Sequence, residues 1–246
     1  MILLGLAVGS FLNVCIHRLP RKESILHPRS RCPHCRKILN IHDLFPVISY
    51  LSTLGRCRYC GEVISYRYPL VESLTAALFV ILYLKYSLSF DLFLYLIFAS
   101  LLVVAAFADM ETEIIPDSIS ILGGIPALLI FSFAGMPLHP LLGMVCGLGI
   151  MWFLFKVASF IYKKEAMGEG DLKLAMMMGA YLGWQGTLVS IFFAFICGAF
   201  VGTVLLGIGR KRFGQHIPFG PFLALGGLVA LFFGQMIWNW YLGMLF

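Results

Sequence analysis

The sequence predicts an all-α, polytopic membrane protein of about eight transmembrane helices, with one small polar insertion after the first. Composition is the first observation: of 246 residues, 60% are hydrophobic and 12% charged, against roughly 25% charged in a soluble domain. Mean hydropathy is +0.92. The second is a series of apolar runs near the ~20 residues needed to cross a hydrocarbon core of about 30 Å. The third is the placing of Lys and Arg between them.

The first run, 1–16, has no basic residue before it and Arg18, Arg21 and Lys22 after it. It is therefore expected to stay as an uncleaved anchor whose start lies outside. The polar segment 17–67 follows, and runs at 68–87, 90–108, 118–134 and 138–162 supply four more crossings. The run 174–209 is too long for one crossing, because as a single helix it would extend about 54 Å. Gly183-Trp184-Gln185-Gly186 is the expected turn, and 218–245 completes eight.

With the start outside, ten of the eighteen Lys and Arg residues fall on the cytosolic side within 17–67. Lys156, Lys163, Lys164, Lys173, Arg210, Lys211 and Arg212 join them, and only Lys85 is outside. This is the positive-inside distribution, and without the turn at 183–186 the 210–212 cluster would sit on the wrong face. The net charge of +6 thus reads as topology and attraction to anionic membrane lipids, with no need for nucleic acid. Three stretches result: helix 1–16, a cytosolic module 17–67 and a membrane domain 68–246.

The module contains Cys32-Pro-His-Cys35 and Cys57-Arg-Tyr-Cys60-Gly61, with 21 residues between the pairs. Two Cys-x-x-Cys turns point four sulfurs inward, which suits a tetrahedral zinc ion, and Gly61 eases the second turn. Two disulfides are the alternative, disfavoured in a reducing compartment. With four thiolate ligands no coordination position stays open, so the Zn2+ is expected to be structural. His34 and His42 are the alternative ligands. Cys15, Cys146 and Cys197 lie in apolar runs and read as buried small residues.

Of the twelve acidic residues, seven crowd the cytosolic ends of helices three to six: Asp109, Glu111, Glu113, Asp117, Glu165, Glu169 and Asp171. Asp109 ends the third helix and Asp171 opens the sixth after Gly168-Glu169-Gly170. A carboxylate at a membrane boundary is costly without a partner or a task. Two close carboxylates cannot both ionise easily, so one can take a proton from water while the other hydrogen-bonds a peptide carbonyl. Structural alternatives are a helix N-cap for Asp171 and a helix-end charge for Asp109. Asp117 is expected as the N-cap of the fourth helix. Glu72 lies about one turn inside the second helix, where it either assists substrate binding or methyl transfer or makes a structural hydrogen bond. Lys173 either orients the adjacent loop or anchors at lipid headgroups.

Gly9-Ser10-Phe11-Leu12-Asn13-Val14 with His17-Arg18-Leu19-Pro20, the paired Cys-x-x-Cys turns, Asp109 with Ile115-Pro116-Asp117, Gly168-Glu169-Gly170-Asp171-Leu172-Lys173, and Pro218-Phe219-Gly220-Pro221 together resemble the motifs of the type IV prepilin peptidases. These are bacterial membrane aspartyl proteases serving type IV pili, type II secretion and competence pseudopili. The resemblance implies a catalytic pair, Asp109 and Asp171. The residues themselves suggest substrate contacts at Gly168 and Gly170, where a peptide backbone can approach closely, with Lys173 and Glu72 as further candidates. The resemblance implies prepilin or pseudopilin substrates, cut after the Gly of a basic leader and before Phe, at the cytosolic face of the inner membrane. It further implies N-methylation of the new terminus by S-adenosylmethionine.

A proton- or ion-coupled transporter with a zinc-stabilised cytosolic loop is the rival reading. Its acids would be expected near mid-membrane and its sequence to contain internal repeats. A metal-stabilised assembly protein without chemistry is a third.

Overall fold

A computed structural model of the chain describes residues 1–133, 135–162, 168–209 and 217–245. The basic residues Lys163, Lys164, Arg210, Lys211 and Arg212, and with them Glu165, lie outside the described residues. Among the described residues the chain is helical, apart from two isolated β-bridges. It divides into two compact units, Met1–Val104 and Ala105–Phe246.

In the first unit, α1 (Ile2–Arg18) packs along α3 (Arg67–Tyr86). Glycines set the distance. A Cβ on Gly5 would lie 2.5 Å from Ala76 Cα, and one on Gly9 2.7 Å from Glu72 Cα. One turn further, Asn13 Nδ2 donates to the Tyr68 carbonyl at 3.0 Å. Partner numbers fall by four as α1 rises by four, so the helices are antiparallel and the backbones touch. Arg18 is buried and donates to the carbonyls of Ser24 at 2.9 Å and Pro28 at 2.7 Å. Arg18, expected as a topological charge and as part of the opening motif, thus also clamps the start of the polar module.

That module holds α2 (Ile48–Ser52) between two knuckles of the same build. In the first, Cys32 N donates to Lys37 O at 3.0 Å and Arg36 N to Cys32 O at 2.9 Å; in the second, Cys57 N donates to Glu62 O at 2.8 Å and Gly61 N to Cys57 O at 2.9 Å. Each needs a left-handed residue after its second cysteine, and the angles are φ 57° at Arg36 and φ 73° at Gly61. Gly61 adopts this without a Cβ clash and Arg36 does not.

The helix α4 (Phe90–Thr112) carries the boundary between the units. The second unit continues with α5 (Asp117–Phe133), α6 (Leu138–Tyr162), α7 (Glu169–Gly207) and α8 (Gly220–Leu245). Its centre is α7, which packs against the other three. Gly183 interrupts α7 with φ 65° and ψ 178°. A Cβ on Gly147 would touch Ala175 O at 2.4 Å and Thr187 Cγ2 at 3.3 Å. Along one straight helix those two residues would stand about 18 Å apart. The chain therefore doubles back at Gly183, within the expected turn. Small residues line both arms: Gly179 meets the Gly143 carbonyl, and Gly226 of α8 meets the Ser190 carbonyl.

Among the described residues, five helices are long and apolar enough to cross a membrane: α3, α4, α6, α7 and α8. The helices α1 and α5 are apolar but shorter. The third predicted helix runs on to Thr112 rather than stopping at Asp109, because Glu111 and Thr112 remain good enough helix formers outside the apolar run.

Candidate active site

Asp109 and Asp171 are both buried, at 5% and 7% exposure. Asp109 sits in the last turn of α4, and Asp171 in the first turn of α7. The cap of α7 is Gly168, whose extended backbone ends the incoming loop, so Asp171 is not the N-cap. Asp171 N donates to Gly168 O at 3.1 Å. Its Oδ1 is buried with no hydrogen-bond partner. An orphaned buried carboxylate oxygen is costly and calls for a missing partner. The Asp109 charge acts on Asp171 through space, although the two stand 62 positions apart in sequence.

Of the two glycines beside this pair, Gly170 is a spatial requirement and Gly168 is not. A Cβ on Gly170 would stand 2.9 Å from Ile115 Cβ, and one on Gly168 would approach Asp171 Oδ2 at 3.8 Å. The Gly-Glu-Gly turn is thus pressed against the Ile115-Pro116 loop. Lys173 Nζ contacts Asp117 Oδ1 at 2.6 Å, fastening the same two segments at the surface. Asp117 begins α5, and its carboxylate is spent on Lys173 rather than on capping that helix.

One contact was not legible in sequence. Gly220, the first residue of α8, donates its N–H to Asp109 Oδ2 at 2.8 Å. A Cβ there would lie 2.8 Å from the same oxygen. A helix N-terminus has unpaired N–H groups and a partial positive charge, so it fixes and favours a carboxylate. The Pro218–Pro221 turn stood out as a motif, but a main-chain donor leaves no mark on residue identity.

In the first unit, Glu72 is buried and accepts the Val47 N–H at 2.7 Å and a hydrogen bond from Ser10. Those partners belong to its own unit and favour the structural alternative.

The sulfurs of Cys32, Cys35, Cys57 and Cys60 all lie within 4.8 Å of one another. Cys32 and Cys60 are 3.9 Å apart, near the edge of about 3.8 Å for a tetrahedron with Zn–S bonds of 2.3 Å. All four are free thiols, and neither His34 nor His42 joins the cluster. The Tyr59 N–H, against desolvation, helps pull the Cys57 thiol down to about 7, towards the thiolate that a metal requires. Asp43 braces the second knuckle, accepting from the Tyr59 hydroxyl at 2.7 Å and lying 3.4 Å from Arg58 Nε.

Residues 3–86 match the bacterial peptidase A24 N-terminal domain, and residues 96–203 match the type IV leader peptidase family. A prepilin leader peptidase/N-methyltransferase of Aeromonas hydrophila is 34% identical over 98% of this chain and 92% of that protein.

The chain belongs to the type IV leader peptidase family.

A second family member with the same name, from Burkholderia pseudomallei strain 1026b, is 36% identical over 95% of this chain and 84% of its own length. The Bacillus subtilis member is 34% identical over 99% of this chain and 97% of its own. No solved structure matches the chain. Family membership and the apolar helices agree on a multi-pass membrane protein.

Proposed function

We propose that this chain removes leader peptides from type IV prepilins or pseudopilins at the cytosolic face of the inner membrane, and then N-methylates the new terminus. The observation that carries the peptidase reading is the buried acidic pair, one member with an unpartnered oxygen and the other held by a helix N-terminus. Asp109, oriented by the Gly220 N–H, takes the proton from the attacking water. Asp171 donates its proton to the scissile carbonyl, whose carbon receives the hydroxide oxygen. As the C–N bond breaks, the proton gained by Asp109 passes to the leaving amine and Asp171 takes a proton back from the gem-diol hydroxyl, so both aspartates return to their starting states. Gly168 leaves room for the substrate backbone, and Gly170 seats the turn against Ile115. Lys173 positions their turn through Asp117.

The same family resemblance supports S-adenosylmethionine as methyl donor to the freed amine. The four thiols support a structural Zn2+, and the reversal at Gly183 supports eight crossings with α7 counted as two. A salt-dependent attraction between the acidic face and a basic leader follows from the charges around the pair.

The test is cleavage of a purified prepilin, its leader ending in Gly before Phe, with Asp109→Asn and Asp171→Asn as controls. Loss of cleavage in each variant, with zinc content unchanged, is the expected result. Full cleavage by either variant overturns the pair. With S-adenosylmethionine the cleaved product should gain one methyl group by mass.

A further inference from the structure

Residues 44–54, Leu-Phe-Pro-Val-Ile-Ser-Tyr-Leu-Ser-Thr-Leu, contain no charge, although they lie inside the most basic segment of the chain. Between two metal-binding knuckles such a stretch would be expected to bury its apolar side chains against the module. It does the opposite. Leu44, Phe45, Ile48, Leu51 and Leu54 are exposed by 42%, 49%, 66%, 65% and 88%. A contiguous apolar surface of this kind marks a binding or membrane-contacting face.

Its position in the first unit identifies the partner. Val47 N donates to Glu72 Oε2 at 2.7 Å, and Glu72 faces Gly9, halfway along α1. Val47 therefore reaches the level of the middle of α1 and the second turn of α3, and Pro46 and Ile48 flank it. Beyond them an open groove of about 510 Å³ continues along the same helices to Ile2 and Ile81. The segment thus adjoins, through this groove, the surface of α3, a helix long and apolar enough to cross a membrane.

Backbone in hydrocarbon must satisfy its polar groups internally, and several donors of this segment are satisfied in that way. Ser49, Leu51, Thr53 and Gly55 donate to Phe45, Val47, Ser49 and Tyr50 carbonyls, and the Ser52 and Thr53 hydroxyls turn back onto Ser49 O. The donor left at the start of α2 belongs to Val47, held at φ 60°, a strained angle for a β-branched residue. Glu72 takes that donor.

We propose that residues 44–54 form a re-entrant segment embedded among the acyl chains of the bilayer, held there by Glu72 as a positioning residue. The zinc module is then fastened to the membrane from its middle as well as through its two ends. This goes beyond the peptidase reading and stands independently of it.

The experiment places a nitroxide at Ile48→Cys, Leu51→Cys or Leu54→Cys, one at a time, in the full chain with Cys15, Cys146 and Cys197 replaced by Ala and the knuckle thiols zinc-loaded. The protein is reconstituted in phosphatidylcholine–phosphatidylglycerol vesicles, and relaxation by oxygen is compared with relaxation by a water-soluble nickel chelate. Ile38→Cys, on the first knuckle, is the aqueous control. Oxygen should dominate several-fold at 48 and 51, and the nickel chelate at 38. Dominance of the nickel chelate at 48 and 51 would overturn the proposal, and so would shielding from both agents, which would mean a protein partner. Glu72→Leu should release the Leu51→Cys label to the nickel chelate with zinc content unchanged, while Glu72→Gln, which keeps an acceptor oxygen, should not. No release in Glu72→Leu would remove Glu72 from the role.

Discussion

Gly220 acts through the one group that no side chain can supply, its amide, and leaves no space for a Cβ beside Asp109. Gly220→Ala should displace the carboxylate and lower the cleavage rate about 100-fold, since misplacement by about 1 Å costs that much, while prepilin binding changes little. A separate measurement of kcat and KM checks this. Lys173→Met should be mild, because an exposed ion pair is worth ~0–1 kcal/mol; its effect should be a few-fold fall in kcat with unchanged thermal stability. The two aspartates were legible in sequence because each stands out against an apolar run. Gly220 was not, because hydrogen bonds from the main chain are independent of residue type. The clamp made by Arg18 was not legible for another reason: a basic residue at a helix end fits the topological rule whether its guanidinium is in water or, as here, buried on carbonyls.

The two cysteine knuckles make a comparison at the level of the element. They share one hydrogen-bond scheme and differ at the left-handed position, Arg36 in one and Gly61 in the other. Arg36→Gly should stabilise the first knuckle by about 1 kcal/mol, and Gly61→Ala should destabilise the second by a similar amount. Rates of metal release to a chromogenic chelator should slow in the former and quicken in the latter. The reversal in α7 was legible from length alone, since no bilayer matches a helix of that extent. Helix ends were less so: α4 continues past its apolar run, and Asp117 looked like a cap because Asp favours both caps and ion pairs. The lipid-directed face of residues 44–54 escaped notice because a polar loop is judged by its average composition, which the flanking charges dominate.

For the molecule as a whole, the fold class was legible because apolar length and basic asymmetry are properties of long windows, whereas the joining of Asp109 to Asp171 depends on packing between distant helices. The arm 169–182 is only about 21 Å long at 1.5 Å per residue, shorter than a typical hydrocarbon core. Cleavage should therefore slow as reconstitution lipids are lengthened from 14 to about 22 carbons per chain, and a rate independent of chain length would refute the idea. The turn at Gly183 has a consequence for biogenesis. From Leu174 to Gly209 the chain contains no Asp, Glu, Lys or Arg, so the two arms can leave the insertion machinery as a preformed hairpin with nothing ionised to carry to the far side.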